Sequence, residues 1–177
     1  RSSDLTLRDG EQAPQSQMTA EQKMNLFKKI ESSLVDIIEI GMPSASDIDF
    51  QSCTQIIQEK RKETNIALFV RSSINDIQKA YECTQGASLE TIYLNILSTG
   101  SDIHLKYKRN FTREQGLSET IQAIRYAYSI GFKKLSVIIE DATRSDIEYL
   151  KNLSVQFSNE NVEVVCLADT LGCATMT

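Results

Sequence analysis

Apolar residues follow two alternating patterns along the chain, and these patterns predict strands separated by helices. Six short runs rich in β-branched and aliphatic residues have the length and composition of strands. They cover residues 4–8, 35–40, 66–70, 91–97, 135–139 and 162–167. Successive runs begin about 30 residues apart, with one longer gap before the fifth. Their nearly continuous apolar character is typical of parallel strands that are buried on both faces.

Helical periodicity occupies the segments between these runs. Capping boxes, in which a threonine is followed three residues later by a glutamine, open two helices at Thr19 and Thr112. Serines are predicted to cap the three remaining helices at Ser46, Ser73 and Ser145. Gly131 is predicted to end the helix that begins at Thr112. Alternation of strands and helices predicts an α/β fold with a parallel sheet and helices outside it.

Two architectures have this alternation, an open doubly wound sheet and a (β/α)8 barrel. No GxGxxG motif follows the first run, so a dinucleotide-binding fold has no support. A complete barrel needs eight units and about 250 residues. We therefore expect the whole chain, residues 1–177, to be the N-terminal portion of a barrel with about six βα units. Such a portion would leave the first and sixth strands with unpaired edges, so the chain alone is expected to aggregate and to be inactive.

Polar residues stand where the predicted strands end, at the face where barrel enzymes carry their chemistry. They occur at residues 8–9, 39, 71, 98–101, 140–141 and 169–170. Arg8 and Asp9 carry the clearest signal among them. An arginine supplies fixed donors for a carboxylate or an oxyanion, and an aspartate is a hard oxygen ligand for a divalent cation. The alternative is a solvated strand end with a surface ion pair.

Composition narrows the class of protein further. The net charge is −5 without a basic stripe, so a nucleic-acid partner is not predicted. No apolar run reaches the roughly 18 residues of a spanning helix and no signal peptide opens the chain, so neither a membrane span nor secretion is predicted. Four cysteines without a CxxC pair, together with a single histidine, disfavour a zinc site. Free thiols in a cytoplasmic protein are the better interpretation.

Several motifs at these strand ends are similar to those of one enzyme family. The sequence TLRDGEQ at residues 6–12 resembles the signature of the acetyl-CoA-dependent 2-isopropylmalate, citramalate and homocitrate synthases. Lyases that cleave hydroxymethylglutaryl-CoA share the barrel of these synthases. Further matches follow in the family's order at residues 35–43 (VDIIEIGMP), 101–104 (SDIH), 107–108 (YK), 140–145 (EDATRS) and 169–172 (DTLG).

The resemblance implies a chemistry and assigns residues to it. It implies a divalent metal ion (Mg, Mn or Zn) that is held by Asp9 and polarises the ketone of a 2-oxo acid. Acetyl-CoA, the co-substrate, would be condensed with 2-oxoisovalerate in leucine biosynthesis. Arg8 would stabilise the charge that develops on oxygen. Glu140 would bind substrate or take part in proton transfer.

Four further residues are predicted to contact substrate: Gln12, Arg71, Asn95 and Thr170. Structural alternatives stay open for some of the assigned residues. Glu140 could be an ion-pair partner across the barrel mouth, and Thr170 could cap the following turn. Family members often carry a histidine at the position of His104, but an exposed loop histidine without a role is an equal alternative.

The chain departs from the family pattern at three places. The two further metal ligands of the family come from a His-x-His motif on a later strand, and this sequence does not contain that motif. Asn95 stands where many 2-isopropylmalate synthases carry a histidine, and residues 94–97 look closer to citramalate synthases. Ile138 stands where relatives often have a small or polar residue.

The alternatives to 2-isopropylmalate synthase are therefore a citramalate synthase that uses pyruvate, a homocitrate synthase, a carbon–carbon lyase, and a non-catalytic truncated paralogue. The resemblance also implies a homodimer whose partners are small molecules only.

Overall fold

The computed structural model describes residues 2–174, which form an α/β fold with six parallel strands. The strands are β1 (Ser3–Asp4), β2 (Ile37–Gly41), β3 (Ile66–Arg71), β4 (Ile92–Thr99), β5 (Lys134–Glu140) and β6 (Val164–Leu167). The α-helices are α1 (Ala20–Glu31), α2 (Asp47–Glu59), α3 (Ile74–Thr84), α4 (Arg113–Ser129) and α5 (Ile147–Asn159). Short 3₁₀ turns cover Asp9–Gln12, Leu89–Thr91 and Ala142–Arg144, and a π-helical turn covers His104–Arg109.

The strands lie in sequential order, each one parallel to the next, with a helix in every connection. This is the arrangement of a partial (β/α)8 barrel, as the spacing of the apolar runs predicts. The described residues contain five βα units and a sixth strand. The longest ladder joins β4 to β5, from Tyr93 opposite Lys134 to Thr99 opposite Glu140. The carboxyl ends of these two strands are therefore held at the same level.

One hydrophobic core fills the space between the sheet and its helices. Its largest fully buried side chains include Phe27 on α1, Phe132 before β5 and Phe157 on α5. Burying a side chain of this size stabilises the folded state by about 1.5–3 kcal/mol. No helix among residues 2–174 is long and apolar enough to cross a membrane.

The first strand differs from the sequence prediction, because it ends at Asp4 rather than at Arg8. The carboxylate of Asp4 accepts a hydrogen bond from the backbone N–H of Thr6 at 3.0 Å, and this local bond competes with the sheet ladder. The carbonyl of Leu5 then accepts from the N–H groups of Arg8, Asp9 and Gly10. The chain therefore turns within the signature, at residues 6–8, and Leu7 in this turn is fully buried.

The helix boundaries follow the predicted caps with two exceptions. The capping boxes at Thr19 and Thr112 form, the side chain of Ser46 caps α2, and α4 ends at Ser129, just before Gly131. Ser73 stands at the start of α3 but its side chain makes no capping bond. Asp146, rather than Ser145, caps α5 by accepting from the N–H of Tyr149 at 2.8 Å. The Ser145 hydroxyl instead donates to the carbonyl of Asp141.

Gly100 lets the end of β4 approach β5 closely. Its N–H donates to the carbonyl of Glu140 at 3.0 Å. A Cβ at this position would lie 2.6 Å from Ser145 Oγ and 2.7 Å from Ile139 Cγ2, well inside van der Waals contact. Only a residue without a side chain fits there while the two strand ends stay together.

We expect Gly100→Ala to lower the free energy of unfolding by about 1–3 kcal/mol, because it overpacks a filled site. Urea denaturation measures this difference. Gly10→Ala is the matched control, since its Cβ would meet only Thr6 at 3.6 Å or more. A Gly100→Ala variant as stable as the control would show that the β4 end can move away from β5 without cost.

Candidate active site

A buried carboxylate on β2 joins residues from three parts of the chain. Glu39 accepts a hydrogen bond from Arg8 Nε at 2.5 Å and another from Asn95 Nδ2 at 2.5 Å. Its side chain is only 1% exposed, so both bonds are shielded from water. Charge-assisted bonds of this kind are stronger than neutral ones. Glu39 therefore fixes both the guanidinium of Arg8 and the amide of Asn95.

Arg8 has two further contacts that orient its guanidinium. Its Nη1 lies 2.8 Å from Oδ1 of Asp9, and its Cζ lies 4.2 Å above the centre of the Phe69 ring. Among residues 2–174, the second terminal nitrogen, Nη2, has no hydrogen-bond partner. The planar group is thus held on one edge and on one face. A donor remains for an oxygen of a bound molecule.

A second buried cation anchors the turn that follows β1. Lys23 on α1 is 2% exposed, and its Nζ lies 2.6 Å from Glu11 Oε2 and 3.3 Å from Asp49 Oδ1. Burial alone would lower the pKa of Lys23, but the bond to Glu11 and the nearby carboxylate charges raise it above its usual value. Lys23 therefore stays charged and ties the turn after β1 to helix α2. Arg8 and the exposed Gln12 line a cavity of about 340 Å³ beside it.

Glu140 ends β5, and two residues of the π-helical turn lie against its side chain. Lys108 Nζ donates to Oε1 of Glu140 at 2.6 Å. His104 Nδ1 lies 3.3 Å from Oε2. The Glu140 side chain is 14% exposed, so a molecule at the barrel mouth can still reach it. This carboxylate is suited to general acid–base work, and it is also an ion-pair partner, the alternative that the sequence left open.

The neighbouring Asp141 is fully buried and saturated with hydrogen bonds. It accepts from Ser101 Oγ at 2.5 Å and from two nitrogens of Arg144 at 2.8 and 2.7 Å. The Arg144 bonds lower the pKa of Asp141 below its usual value, and the bond from Ser101 adds to this effect against the opposing effect of burial. The backbone N–H of Asp141 donates to Thr170 Oγ1 at 2.8 Å. Thr170 thus links the end of β5 to the turn after β6.

Arg71 at the end of β3 is half-exposed and bound to Asp76 at the start of α3. Its Nε and Nη2 lie 2.7 and 2.9 Å from the two carboxylate oxygens. Burial would raise the pKa of Asp76, but the hydrogen bonds from Arg71 lower it. Arg71, Lys108 and Glu140 line a cavity of about 650 Å³ at the carboxyl ends of β3, β4 and β5. A ligand in this cavity would meet an Arg71 that is already paired.

The predicted site residues thus fall into two groups at one end of the sheet. In the first group, Arg8 and Asn95 bind Glu39, Asp9 pairs with Arg8, and Gln12 lines a cavity together with Arg8. The second surrounds β5 and consists of Arg71, Glu140 and Thr170. The strand-end pattern singled out Glu39 and Asp141 without giving either a specific role, and sequence reasoning missed Lys23. An acidic residue inside the apolar run Ile-Ile-Glu-Ile of β2 was the available signal for Glu39.

The described residues do not by themselves form a metal centre. Residues 2–174 contain no group of three histidine, cysteine, aspartate or glutamate side chains arranged to hold a metal ion. Asp9 is 56% exposed and offers one carboxylate, which already pairs with Arg8. A divalent cation held firmly by protein needs several ligands, so Asp9 can be at most one of them.

A family model places the chain among known proteins: the model of the HMGL-like family matches residues 1–177. A 2-isopropylmalate synthase from Syntrophus aciditrophicus is 39% identical over 175 residues, which are 97% of this chain and 32% of that protein. Methylthioalkylmalate synthase 2, chloroplastic, from Arabidopsis thaliana is 35% identical over 177 residues, 96% of this chain and 35% of that protein. The chain therefore spans about a third of the length of these relatives.

A solved structure has the same fold. The carboxyl transferase domain of Rhizobium etli pyruvate carboxylase, determined with 3-bromopyruvate, superposes with a TM-score of 0.65 at 14% sequence identity. The match covers 98% of this chain and 31% of that chain. At this identity the likeness concerns the fold and not the chemistry.

Proposed function

Because this chain belongs to the HMGL-like family, we propose that it is part of an acyltransferase that condenses acetyl-CoA with a 2-oxo acid. The observation that carries the proposal is the guanidinium of Arg8. It is fixed by Glu39 and Asp9, and its Nη2 has no partner among residues 2–174. A preorganised donor at the mouth of a barrel is what a developing oxyanion requires.

In the proposed reaction, the methyl carbon of acetyl-CoA loses a proton and bonds to the keto carbon of the 2-oxo acid. The electron pair of the C=O π bond moves onto the keto oxygen, and Arg8 stabilises the resulting alkoxide. Glu140 takes part in the proton transfer, since it is partly exposed at the end of β5. Attack of water on the thioester then releases coenzyme A and a 2-alkylmalate.

The proposed 2-oxo acid is 2-oxoisovalerate, which makes the protein a 2-isopropylmalate synthase of leucine biosynthesis. Its carboxylate and alkyl group would lie among Gln12, Arg71, Asn95 and Thr170. The second candidate is a citramalate synthase, which uses pyruvate. Asn95 supports this second candidate, because many 2-isopropylmalate synthases have a histidine at its position. Here the amide of Asn95 is bound to Glu39. We also propose that the protein is a homodimer and is located in the cytoplasm.

A metal ion is also part of this proposal, with Asp9 as one of its ligands. It would supply Lewis-acid polarisation of the ketone when bound. Residues 2–174 contain no group of three suitable side chains, so at least one further protein ligand would have to come from outside them.

We expect Asp9→Ala in the full-length protein to weaken binding of Mn²⁺ at least about tenfold while leaving the fold intact. Isothermal titration calorimetry with Mn²⁺ alone measures this without any turnover, and circular dichroism checks the fold. Asp47→Ala is the control, because this carboxylate lies at the exposed start of α2. Equal Mn²⁺ affinity of the Asp9 variant and the wild type would remove Asp9 from the metal site.

The experiment that tests the function is a thiol-release assay on the full-length protein. Acetyl-CoA is supplied with 2-oxoisovalerate, pyruvate or 2-oxoglutarate, and free coenzyme A is measured with a thiol reagent. Release that depends on 2-oxoisovalerate supports the 2-isopropylmalate synthase, and release with pyruvate supports the citramalate synthase. No release above the rate without 2-oxo acid would contradict an acyltransferase of this class.

A further inference from the structure

We propose that His104 is a positioning residue that holds the Glu140 carboxylate through its Nδ1 atom. The proposed function gives Glu140 its role in proton transfer, and the inference about His104 rests on that role for its effect on turnover. The contact itself does not depend on it.

The His104 ring lies between two carboxylates. Its Nδ1 is 3.3 Å from Glu140 Oε2, and its Nε2 is 3.8 Å from Asp141 Oδ2. The side chain is only 20% exposed, which corrects the alternative of an exposed loop histidine. The Nδ1 atom is buried and has no hydrogen-bond partner among residues 2–174, because its geometry toward Glu140 is not that of a hydrogen bond. Buried polar atoms are nearly always paired, so an unpaired Nδ1 beside an acceptor calls for an explanation.

The two carboxylates differ in the number of hydrogen bonds that they accept. Asp141 already accepts one bond from Ser101 and two from Arg144. Glu140 accepts only at Oε1, from Lys108. Its Oε2 accepts no hydrogen bond from the described residues, and the Nδ1 atom of His104 lies 3.3 Å from it. A small rotation of either side chain turns the 3.3 Å contact into a hydrogen bond, and that bond completes the pairing of Glu140 rather than that of Asp141.

The surrounding structure holds His104 in this place. The backbone N–H of His104 donates to Ser101 Oγ at 3.2 Å. The next residue, Leu105, is 2% exposed and packs so tightly on α4 that a Cβ on Gly116 would lie 2.8 Å from its Cδ2. The turn is π-helical, a geometry found frequently at functional sites. It brings His104 and Lys108 to the same carboxylate, and each contacts a different oxygen of it.

The first test follows the imidazole itself. The full-length protein is labelled with ¹⁵N-histidine, and the His104 signals are identified by their loss in His104→Asn. We expect Glu140→Gln to shift the Nδ1 resonance. Glu119→Gln, the matched control on a carboxylate paired with Arg109 of the same turn, should leave it in place. An Nδ1 resonance that is unmoved in Glu140→Gln would overturn the proposal, whether or not the protein turns over substrate.

The second test separates the two edges of the ring. The side-chain nitrogen of asparagine falls near the Nδ1 position, and that of glutamine falls near the Nε2 position. We expect His104→Gln to lower kcat about tenfold or more with an unchanged KM for the 2-oxo acid, and His104→Asn to restore kcat to within about threefold of the wild type.

Equal kcat values for the asparagine and glutamine variants, or a better glutamine variant, would contradict positioning through Nδ1. A wild-type protein without turnover would contradict the proposed function alone, because the resonance test still decides on His104.

Discussion

Replacing Arg8 with lysine is expected to lower kcat by about 10²–10³ with little change in the KM for the 2-oxo acid. Lysine keeps the charge but lacks the planar guanidinium with its several fixed donors. In the structure the guanidinium of Arg8 donates to Glu39 through Nε and to Asp9 through Nη1 at the same time, and its face lies over the ring of Phe69. A single ammonium cannot reproduce this arrangement and still present a donor toward the cavity that Arg8 lines.

Steady-state kinetics of the full-length protein measure this effect. Arg125→Lys is the matched control, because Arg125 also makes a two-point contact, to Glu160, but on the exposed surface between α4 and α5. We expect its kcat to be that of the wild type. If Arg8→Lys raised KM and left kcat intact, Arg8 would bind the ground state and the transition state equally, and its role as the oxyanion donor would be wrong.

Replacing Glu39 with leucine is expected to lower the free energy of unfolding by about 3–5 kcal/mol, the usual effect of removing one partner of a buried ion pair. The change leaves the guanidinium of Arg8, which is 14% exposed, without its buried acceptor, and it also removes the partner of the Asn95 amide. The loss is expected near the lower end of the range, because Arg8 keeps Asp9 and some access to water.

A double-mutant cycle distinguishes the unpaired charge from the loss of packing. Arg8→Met combined with Glu39→Leu should be less destabilised than Glu39→Leu alone, since no charge is then buried without a partner. Glu90→Gln, which removes a pair with Lys133 on the exposed surface, should leave the free energy of unfolding nearly unchanged. Additive effects at positions 8 and 39 would mean that the two side chains are not energetically coupled.

The sheet could be predicted because its determinants are local. Each of the runs β2 to β6 is apolar over most of its length, and the structure places these strands within a few residues of the predicted bounds. The capping boxes at Thr19 and Thr112 also depend only on residues three apart. The end of β1 was predicted wrongly, because the Asp4 carboxylate accepts a hydrogen bond from the backbone N–H of Thr6 that competes with the ladder, while Leu7 stays buried in the turn that follows.

The site was only partly predictable, because its contacts join residues far apart in the sequence. The strand-end rule placed Glu140 correctly at the end of β5, whereas Arg8 lies in the turn four residues beyond the end of β1. The rule could not indicate that Arg8 and Asn95 meet on Glu39, since that contact depends on the stagger between strands. Nor could it distinguish Arg71, whose guanidinium is paired with Asp76 five residues later, from an arginine that is free to bind a ligand.

The buried Lys23 has a consequence for how the sequence can change during evolution. Its ammonium lies between Glu11 and Asp49. The positive charge of Lys23 therefore offsets the negative charges of two residues from different segments of the chain. Loss of the lysine alone would leave these two carboxylates without the cation that they share beside the turn after β1. Positions 11, 23 and 49 should therefore covary among related sequences, with a neutral residue at position 23 tolerated only where at least one of the acids has also been replaced.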